Sequence, residues 1–429
     1  MSQTERADVT PPAEEEEFSV KETSILFEAK AIWVLLALLV VAIWFRFLPL
    51  IAVSTFLLLL SFCIVWWKKK ALTGLEPQLV LSKSRVFAGE EFHIDATLTN
   101  NKWLPLVWLE YELANSTLVS WGEQKRTYVV RFLWLLWYQR IDWIIEGEAR
   151  RRGVYQFQDV TLRSGDGFRF SEQEKSFPVG QVLFIYPALR SVRPPAFRPS
   201  LQWGMNGKQG GFLEDPLLIA GIRDYEPGDE WRKFNWKASA RTGKMQSNIY
   251  QPVVTQQLMI AIDVQAFLVQ EDAYEDPNEQ KKYEMQKQEA FENYLSVIAS
   301  FAAVYEQQGI MIGFITNALD YKGQPLASIQ PNGQLATFLD QMAKMEARIK
   351  MKKKEFLQML RYELPRSVPL FLFCGTLTKD HYQWYEQEKN RLADVQFFYS
   401  KESEYSHRLS RLARPLDDFV QQPVRKGRS

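Results

Sequence analysis

The residues best equipped for chemistry crowd into one stretch, Gly221-Ile222-Arg223-Asp224-Tyr225-Glu226-Pro227-Gly228-Asp229-Glu230-Trp231-Arg232-Lys233-Phe234-Asn235-Trp236-Lys237-Ala238-Ser239-Ala240-Arg241. Guanidinium groups at Arg223, Arg232 and Arg241 alternate with carboxylates at Asp224 and Asp229, with the indoles of Trp231 and Trp236, and with hydroxyls at Tyr225 and Ser239. Planar cationic forks beside aromatic edges suit the grip of an anionic or peptide partner. The same charges could equally close on one another as an ion-pair lattice pinning a linker, with the tryptophans as packing. No His, Cys or activated Ser stands beside them, so nucleophilic catalysis has no visible apparatus, and no enzymatic role is expected.

Local chemistry indicates how this stretch is held. Pro227-Gly228 suits the two central positions of a type II turn, and Asp229 is then placed to cap a short helix that ends before Gly243. On such a helix Trp231, Phe234 and Ala238 share one face, and Arg232, Asn235, Trp236 and Ser239 another. Elsewhere the catalogue of motifs is thin. Three histidines (His93, His381, His407) and two cysteines (Cys63, Cys374) are too scattered to write a zinc site or a disulfide. Gly243-Lys244 lacks the earlier glycine and the following hydroxyl of a P-loop. With 52 basic against 51 acidic side chains, nothing in the charge favours nucleic acid.

The elements around the stretch belong to a multidomain chain. Residues 1–30 hold a glutamate run and few large apolar groups and are expected to be a disordered acidic tail. Residues 31–70 are apolar apart from Arg46 and a few small polar groups, broken at Pro49, and read as a transmembrane helical hairpin. Lysines flank both outer ends, at Lys21, Lys30 and Lys68-Lys69-Lys70, which predicts that both termini and the large C-terminal body face the cytoplasm.

Residues 71–192 alternate apolar and polar side chains at period two between turn signals, which predicts an all-β sandwich of the immunoglobulin or fibronectin kind. Within it, Phe132-Leu133-Trp134-Leu135-Leu136-Trp137-Tyr138 is too short to span a bilayer. Its tryptophans are expected in the core, a membrane-facing rim being the alternative. Residues 193–252, rich in proline and glycine, form a linker that carries the 221–241 stretch, and 253–400 alternates strands and helices as a mainly parallel α/β domain. One long helix striped by Leu335, Phe338, Met342, Met345, Ile349, Phe356 and Leu360 is expected there, the basic run Arg348–Lys354 is read as its solvated face, and 401–429 is expected to be a basic tail.

The string Arg223-Asp224-Tyr225, Pro227-Gly228-Asp229, Arg232, Trp236, Ser239-Ala240-Arg241 resembles the signature of the domain-of-unknown-function 58 (DUF58) family. The resemblance runs back through Arg152-Gly153-Val154-Tyr155 and Tyr186-Pro187 and forward from Phe291 to Phe314. It implies a bacterial inner-membrane protein with a hairpin anchor, a β-sandwich and a C-terminal domain similar to von Willebrand factor type A domains. A MoxR-type AAA+ ATPase is the implied partner, and the process is the assembly of envelope proteins. Type A domains commonly bind Mg²⁺ at an Asp-x-Ser-x-Ser loop, whereas this chain reads Asp263-Val264-Gln265-Ala266-Phe267; Asp263 keeps a carboxylate, but both hydroxyls are replaced. No cofactor is therefore expected. A metal-assisted hydrolase using Asp263 with Asp224 or Asp229, and a purely structural envelope protein, are the alternatives.

Overall fold

A computed structural model describes residues 29–165, 172–195, 214–252, 257–270, 276–364, 368–392 and 394–421. The expected acidic tail up to residue 28, the glycine-rich stretch 203–211 and the last eight residues lie outside these. The N-terminal apolar region forms helices α1 (Ala29–Trp44) and α2 (Leu48–Ala71), joined by a turn in which Arg46 has φ 52° and Pro49 falls in the first turn of α2. By length and composition α2 can cross a membrane; the apolar part of α1, Ile32–Trp44, is shorter.

The body is rich in β structure and contains several sheets. Its backbone divides into two compact units. One comprises Met1–Ser84, Glu91–Glu148 and Gln156–Leu183; the other takes Arg85–Glu90, Ala149–Tyr155 and Phe184–Ser429. The boundary therefore falls near 184 rather than 192, and the second unit takes in two short earlier segments.

The first unit holds the strands β1 (Leu75–Leu81), β3 (Glu91–Asn100), β4 (Leu106–Leu113), β5 (Val119–Trp121), β6 (Val129–Leu135) and β7 (Arg140–Ala149), with most of β8 (Gly153–Gly165) and β9 (Glu172–Tyr186); the short β2 (Arg85–Phe87) belongs to the second. One sheet has the order β1-β3-β7-β5, and the other runs β9-β8-β4-β6. Inward side chains alternate strictly on β3 and β7, as a half-buried antiparallel strand requires. Edge-to-face pairs join the two sheets, Tyr111 on Trp143 at 5.0 Å and Trp121 on Phe157 at 6.2 Å. On β6, Leu133 and Leu135 point inward, but Phe132 and Trp134, and Leu136, Trp137 and Tyr138 beyond the strand, are exposed. The expected burial of Trp134 and Trp137 is thus corrected. Period two puts Leu133 and Leu135 in the core and necessarily turns Phe132 and Trp134 out.

The second unit begins, after β2, with a ribbon of β10 (Glu214–Asp224) and β11 (Gln246–Pro252) that carries helix α3 (Trp236–Thr242) between its strands. Residues 214–252 of the expected linker are therefore folded. There follow β12 (Gln257–Asp263), α4 (Pro277–Gln307), β13 (Met311–Thr316), β14 (Ala318–Asp320), β15 (Ile329–Gly333), α5 (Leu335–Lys344), β16 (Met345–Ile349), α6 (Lys353–Glu363), β17 (Leu370–Thr376), α7 (Lys379–Glu388), β18 (Val395–Lys401), α8 (Glu404–Arg408) and β19 (Ala413–Pro415). The main sheet has the order β15-β13-β12-β17-β18-β19, parallel except for β15. Strands buried on both faces read as continuous apolar runs, Leu258–Ile262 and Leu370–Cys374.

Two expectations change here. The single helix from 335 to 360 is interrupted by β16, because Met345–Ile349 alternates at period two and pairs antiparallel with β14. The basic tail is folded as far as Gln421, since β19 extends the sheet and Leu416 and Phe419 are buried in the core.

One buried charge braces this unit. Arg152 pairs with both carboxylate oxygens of Glu292 on α4, at 2.8 and 3.0 Å. It also donates to the carbonyls of Met342 and Ala343 in the last turn of α5, and of Met345 beyond it, at 2.9, 3.3 and 2.5 Å. The Phe291 ring lies 5.4 Å below the guanidinium. Replacing Arg152 by Ala would leave Glu292 and the end of α5 without donors. We expect a loss of about 3–5 kcal/mol, measurable as a lower denaturation midpoint of the detergent-solubilised chain, and little rescue by Arg152→Lys, which lacks the fork.

Candidate functional site

Within the 221–241 stretch the turn forms as expected. Gly228 has φ 113°, a value that side-chain-bearing residues avoid, and the Asp229 N–H closes on the Glu226 carbonyl at 3.0 Å. Asp229 does not cap a helix, however. Its Oδ2 accepts the Glu226 N–H at 3.1 Å and its Oδ1 pairs with Arg223. The Glu226 N–H and Arg223 hold its carboxyl below the ordinary range. The chain then makes a single 3₁₀ turn at Trp231–Lys233, becomes extended at Phe234, which bridges to Ser247, and enters α3 with Asn235 as N-cap. The two faces expected for one continuous helix therefore do not exist.

A subset of the stretch is structural. Asp224 accepts from Gln246 Nε2; Asn235 Oδ1 accepts the Ala238 N–H at 2.9 Å, and its Nδ2 donates to Asn248 at 2.7 Å. Ser239 donates to the Asn235 carbonyl at 2.7 Å and accepts the Gln246 N–H at 2.9 Å, which pins α3 to β11. Tyr225 reaches the Asp229 carbonyl at 3.4 Å, and its ring lies 6.2 Å from that of buried Phe234. Gln246 and Asn248 were not signalled by the sequence, since their role depends on the strand register.

The other subset faces outward. Trp231 and Trp236 are 66% and 74% exposed, with Trp236 set edge-on against Phe234 at 4.4 Å. Arg232, Lys237, Arg241 and Lys244 are exposed too. The stretch thus resolves into an inner lattice of Arg223, Asp224, Asp229 and Ser239, turned around Gly228, and an outer face of indoles and basic groups.

Asp263 lies elsewhere in the same unit, at the C-terminal end of β12, and is 1% exposed. The chain passes from β12 to β13 on one side and later to β17 on the other, so the carboxyl ends of β12 and β17 form the switch point at which open α/β sheets commonly bind ligands. Here the chain's own groups converge on the carboxylate. Asn317 Nδ2 and the Gln265 N–H donate to Oδ1 at 2.7 and 3.0 Å. His381 Nε2 lies 3.6 Å from Oδ2 and Lys353 Nζ 3.9 Å. The far imidazole nitrogen accepts the Thr378 N–H at 3.2 Å, closing a capping box at the start of α7. Gly375 makes room for this loop, because a Cβ there would lie 2.5 Å from that of Ala266.

Burial alone would raise the Asp263 carboxyl, but the adjoining His381, the Gln265 N–H and the Lys353 ammonium outweigh it, so it titrates low. Burial lowers His381 despite the adjoining carboxylate, so the ring is neutral at neutral pH and its Nε2–H points at Asp263. Burial also pushes the Cys374 thiol up, the opposite of what a nucleophile needs.

These surroundings do not fit a divalent cation. Both carboxylate oxygens already face N–H groups or an ammonium, and Lys353 brings a positive charge where a metal would need oxygen ligands. Among the described residues no three His, Cys, Asp or Glu side chains converge as a metal cage. Asp224, Asp229 and Asp263 are engaged by three separate sets of partners. Asn317, Lys353 and His381 lie 54, 90 and 118 positions after Asp263 by residue number. The available hint was position, since Asn317 directly follows the β13 run and His381 follows Thr378 at capping-box spacing.

The folded-state pKa values of Asp263 and His381 both lie below their unfolded values, so both contributions to stability are present at higher pH and are lost on acidification. The His381 contribution starts to fall below about 6.5, its ordinary value. We expect the melting temperature of the parent to drop as pH is lowered through and below that value. A His381→Gln variant should start lower and lose that dependence, leaving only the carboxylate's decline at more acid pH.

No family model matches the chain. Over 184 residues it is 23% identical to the uncharacterised protein YeaD of Bacillus subtilis; the match covers 43% of this chain and 46% of that protein, so the chain spans about half of that relative's length. A CARDB domain from Pyrococcus furiosus aligns with 26% of this chain and 91% of its own, at 9% identity and a TM-score of 0.19. A C-terminal portion of Escherichia coli alpha-2-macroglobulin aligns with 34% of this chain and 22% of its own, at 16% identity and a TM-score of 0.19. Likenesses of that size carry no argument about this fold.

Proposed function

We propose that the chain is a membrane-anchored, non-enzymatic adaptor of the domain-of-unknown-function 58 kind. In this reading α1 and α2 are a two-span hairpin in a bacterial inner membrane, both termini are cytoplasmic, and the body combines an immunoglobulin-like sandwich with a type A-like α/β domain. The membrane reading is supported by an inside-out burial pattern. The buried positions of the helix pair include the small residues Ala42, Ser54 and Ser61, whereas Val40, Val41, Val53, Phe56, Leu59 and Phe62 are exposed.

The observation that carries the adaptor reading is the outer face of the ribbon, where Trp231 and Trp236 stand exposed among Arg232, Lys237 and Arg241. Tryptophan and arginine dominate interface hot spots, and the inner lattice presents them on a rigid support. The partner is a cytoplasmic protein, and by family resemblance a MoxR-type AAA+ ATPase acting in envelope assembly. The donors around Asp263 weigh against the hydrolase alternative.

The test is affinity purification of the full chain from its native membrane in mild detergent, followed by mass spectrometry. Arg232→Ala alters an exposed group and should cost at most about 0.5 kcal/mol of stability, Trp236→Ala also gives up the edge-on contact with Phe234 and should cost about 0.5–1.5 kcal/mol, and each should lose the ATPase. Asp229→Ala should lower the melting temperature, because it frees the turn and Arg223. Retention of the partner by a folded Arg232→Ala, Trp236→Ala double variant would overturn the reading.

A further inference from the structure

The exposed aromatics of the first unit stand next to the end of α2. Trp66, in the last turns of that helix, packs against Trp103 with ring centroids 5.6 Å apart. Beside it the Lys102 ammonium donates to the carbonyls of Ala71 and Thr73 just where the helix stops. This loop is tied in turn to the β6–β7 connection. Asn100 Nδ2 donates to the Leu104 and Leu136 carbonyls at 3.0 and 2.8 Å, and the Tyr138 N–H donates to the Lys102 carbonyl at 3.1 Å. The Leu136 N–H is held by Gln139 Oε1 at 2.7 Å.

A chain of short bonds thus sets the tip of the β6–β7 connection, which crosses from one sheet to the other, beside the terminus of α2. That tip carries Leu136, Trp137 and Tyr138, 48%, 60% and 69% exposed, and the outer face of β6 continues it with Phe132 and Trp134, 62% and 70% exposed. Tyr138 has φ 51°, a conformation that costs a bulky residue energy and that glycine or asparagine would adopt more cheaply. An exposed aromatic at such a position points to use of its side chain. Exposed aromatics gathered in this way mark an interaction surface, with a protein or a membrane.

We infer that Trp103, Phe132, Trp134, Trp137 and Tyr138 form an interfacial belt by which the sandwich seats on the lipid headgroups around the end of α2. The inference rests on the proposed membrane crossing of α2. Its occupant follows from continuity: Trp66 is at the helix end where indoles partition into the interface, the lysines Lys68-Lys69-Lys70 follow at headgroup level, and Trp103 shares Trp66's depth by direct contact. Rings with an apolar body and a polar edge suit that layer.

The full chain, in a Cys63→Ser background, is spin-labelled at one site at a time and reconstituted in phosphatidylethanolamine–phosphatidylglycerol vesicles. Accessibility to oxygen, which concentrates in lipid, is compared with accessibility to an aqueous nickel chelate. Phe56→Cys reports the middle of α2, Tyr138→Cys the belt, and Glu123→Cys a water-facing turn. That turn is bonded to Glu146, six residues along β7 from Arg140 and therefore about 20 Å from the tip. We expect the oxygen-to-nickel ratio at 138 to exceed that at 123 by about tenfold, and to fall toward it in a Trp134→Asp, Trp137→Asp double variant of unchanged melting temperature.

If the label at 56 is lipid-accessible but that at 138 matches that at 123, the belt is wrong and the span stands. Exclusion of both reagents at 138 would mean a protein contact, a second copy or a partner, and would also overturn the belt. If the label at 56 itself reads as aqueous, the membrane crossing fails.

Discussion

The second unit depends on one buried guanidinium. Arg152 comes from a segment of only seven residues that enters this unit between long stretches of the other, and a segment so short has little apolar area with which to hold its place. Its side chain supplies the specificity instead. The fork faces Glu292 on one side and the end of α5 on the other, so the position of Ala149–Tyr155 is set by directed bonds to α4 and α5 together. A pair desolvated this far adds modest net stability, but leaving either partner alone is costly, and that asymmetry excludes alternative placements.

The same reasoning applies at the carboxyl edge of the main sheet. Parallel strands direct their following loops to one edge, and there the backbone dipoles and loop polar groups commonly receive a ligand. This chain closes that edge with its own side chains. Asp263 finds an amide, a backbone N–H, an imidazole and an ammonium, drawn from the ends of β13 and β12 and from the first turns of α7 and α6. A carboxylate so satisfied has its charge balanced internally, and its chemistry is that of a keystone for four loops. The proposed recognition surface is instead the ribbon, which stands outside the main sheet and whose Arg232, Lys237 and Arg241 are exposed.

Much of this architecture was legible because its signals are local. Apolar runs marked β12, β13, β17 and β18, the stripe from Phe291 to Tyr305 marked α4, and Pro227-Gly228 marked the turn that forms. What was not legible depended on pairing across distance. Met345–Ile349 satisfies a helical stripe and a strand alternation equally well, and only the presence of β14 decides for the strand. Lys353 looks like one more lysine of a solvated face until the fold draws its ammonium to 3.9 Å from Asp263. Asp229 meets the composition rule for an N-cap, yet Arg223 and the Glu226 N–H claim its oxygens first, and Asn235 takes the cap. Of the candidate residues, the sequence located the cluster but could not divide it, since the split between inner lattice and outer face is made by the β10–β11 register.

The tryptophans show why burial cannot be read from residue type alone. In β6 Leu133 and Leu135 are inside, and at period two Phe132 and Trp134 must then be outside. Assigning all of them to the core overlooked that one strand has two faces. The physical question then changes from which side chains are apolar to what medium each face meets. In α2 Phe56, Leu59 and Phe62 face outward while Ser54, Ser61 and Ile64 are buried, in β3 and β7 the apolar groups face the opposite sheet, and in β6 Leu133 and Leu135 face inward with Phe132 and Trp134 outward. A strand at the edge of its sheet, whose following turn is bonded through the 100–104 loop to the end of an apolar helix, meets its own core with Leu133 and Leu135 and, in the proposed belt, the lipid interface with Phe132 and Trp134.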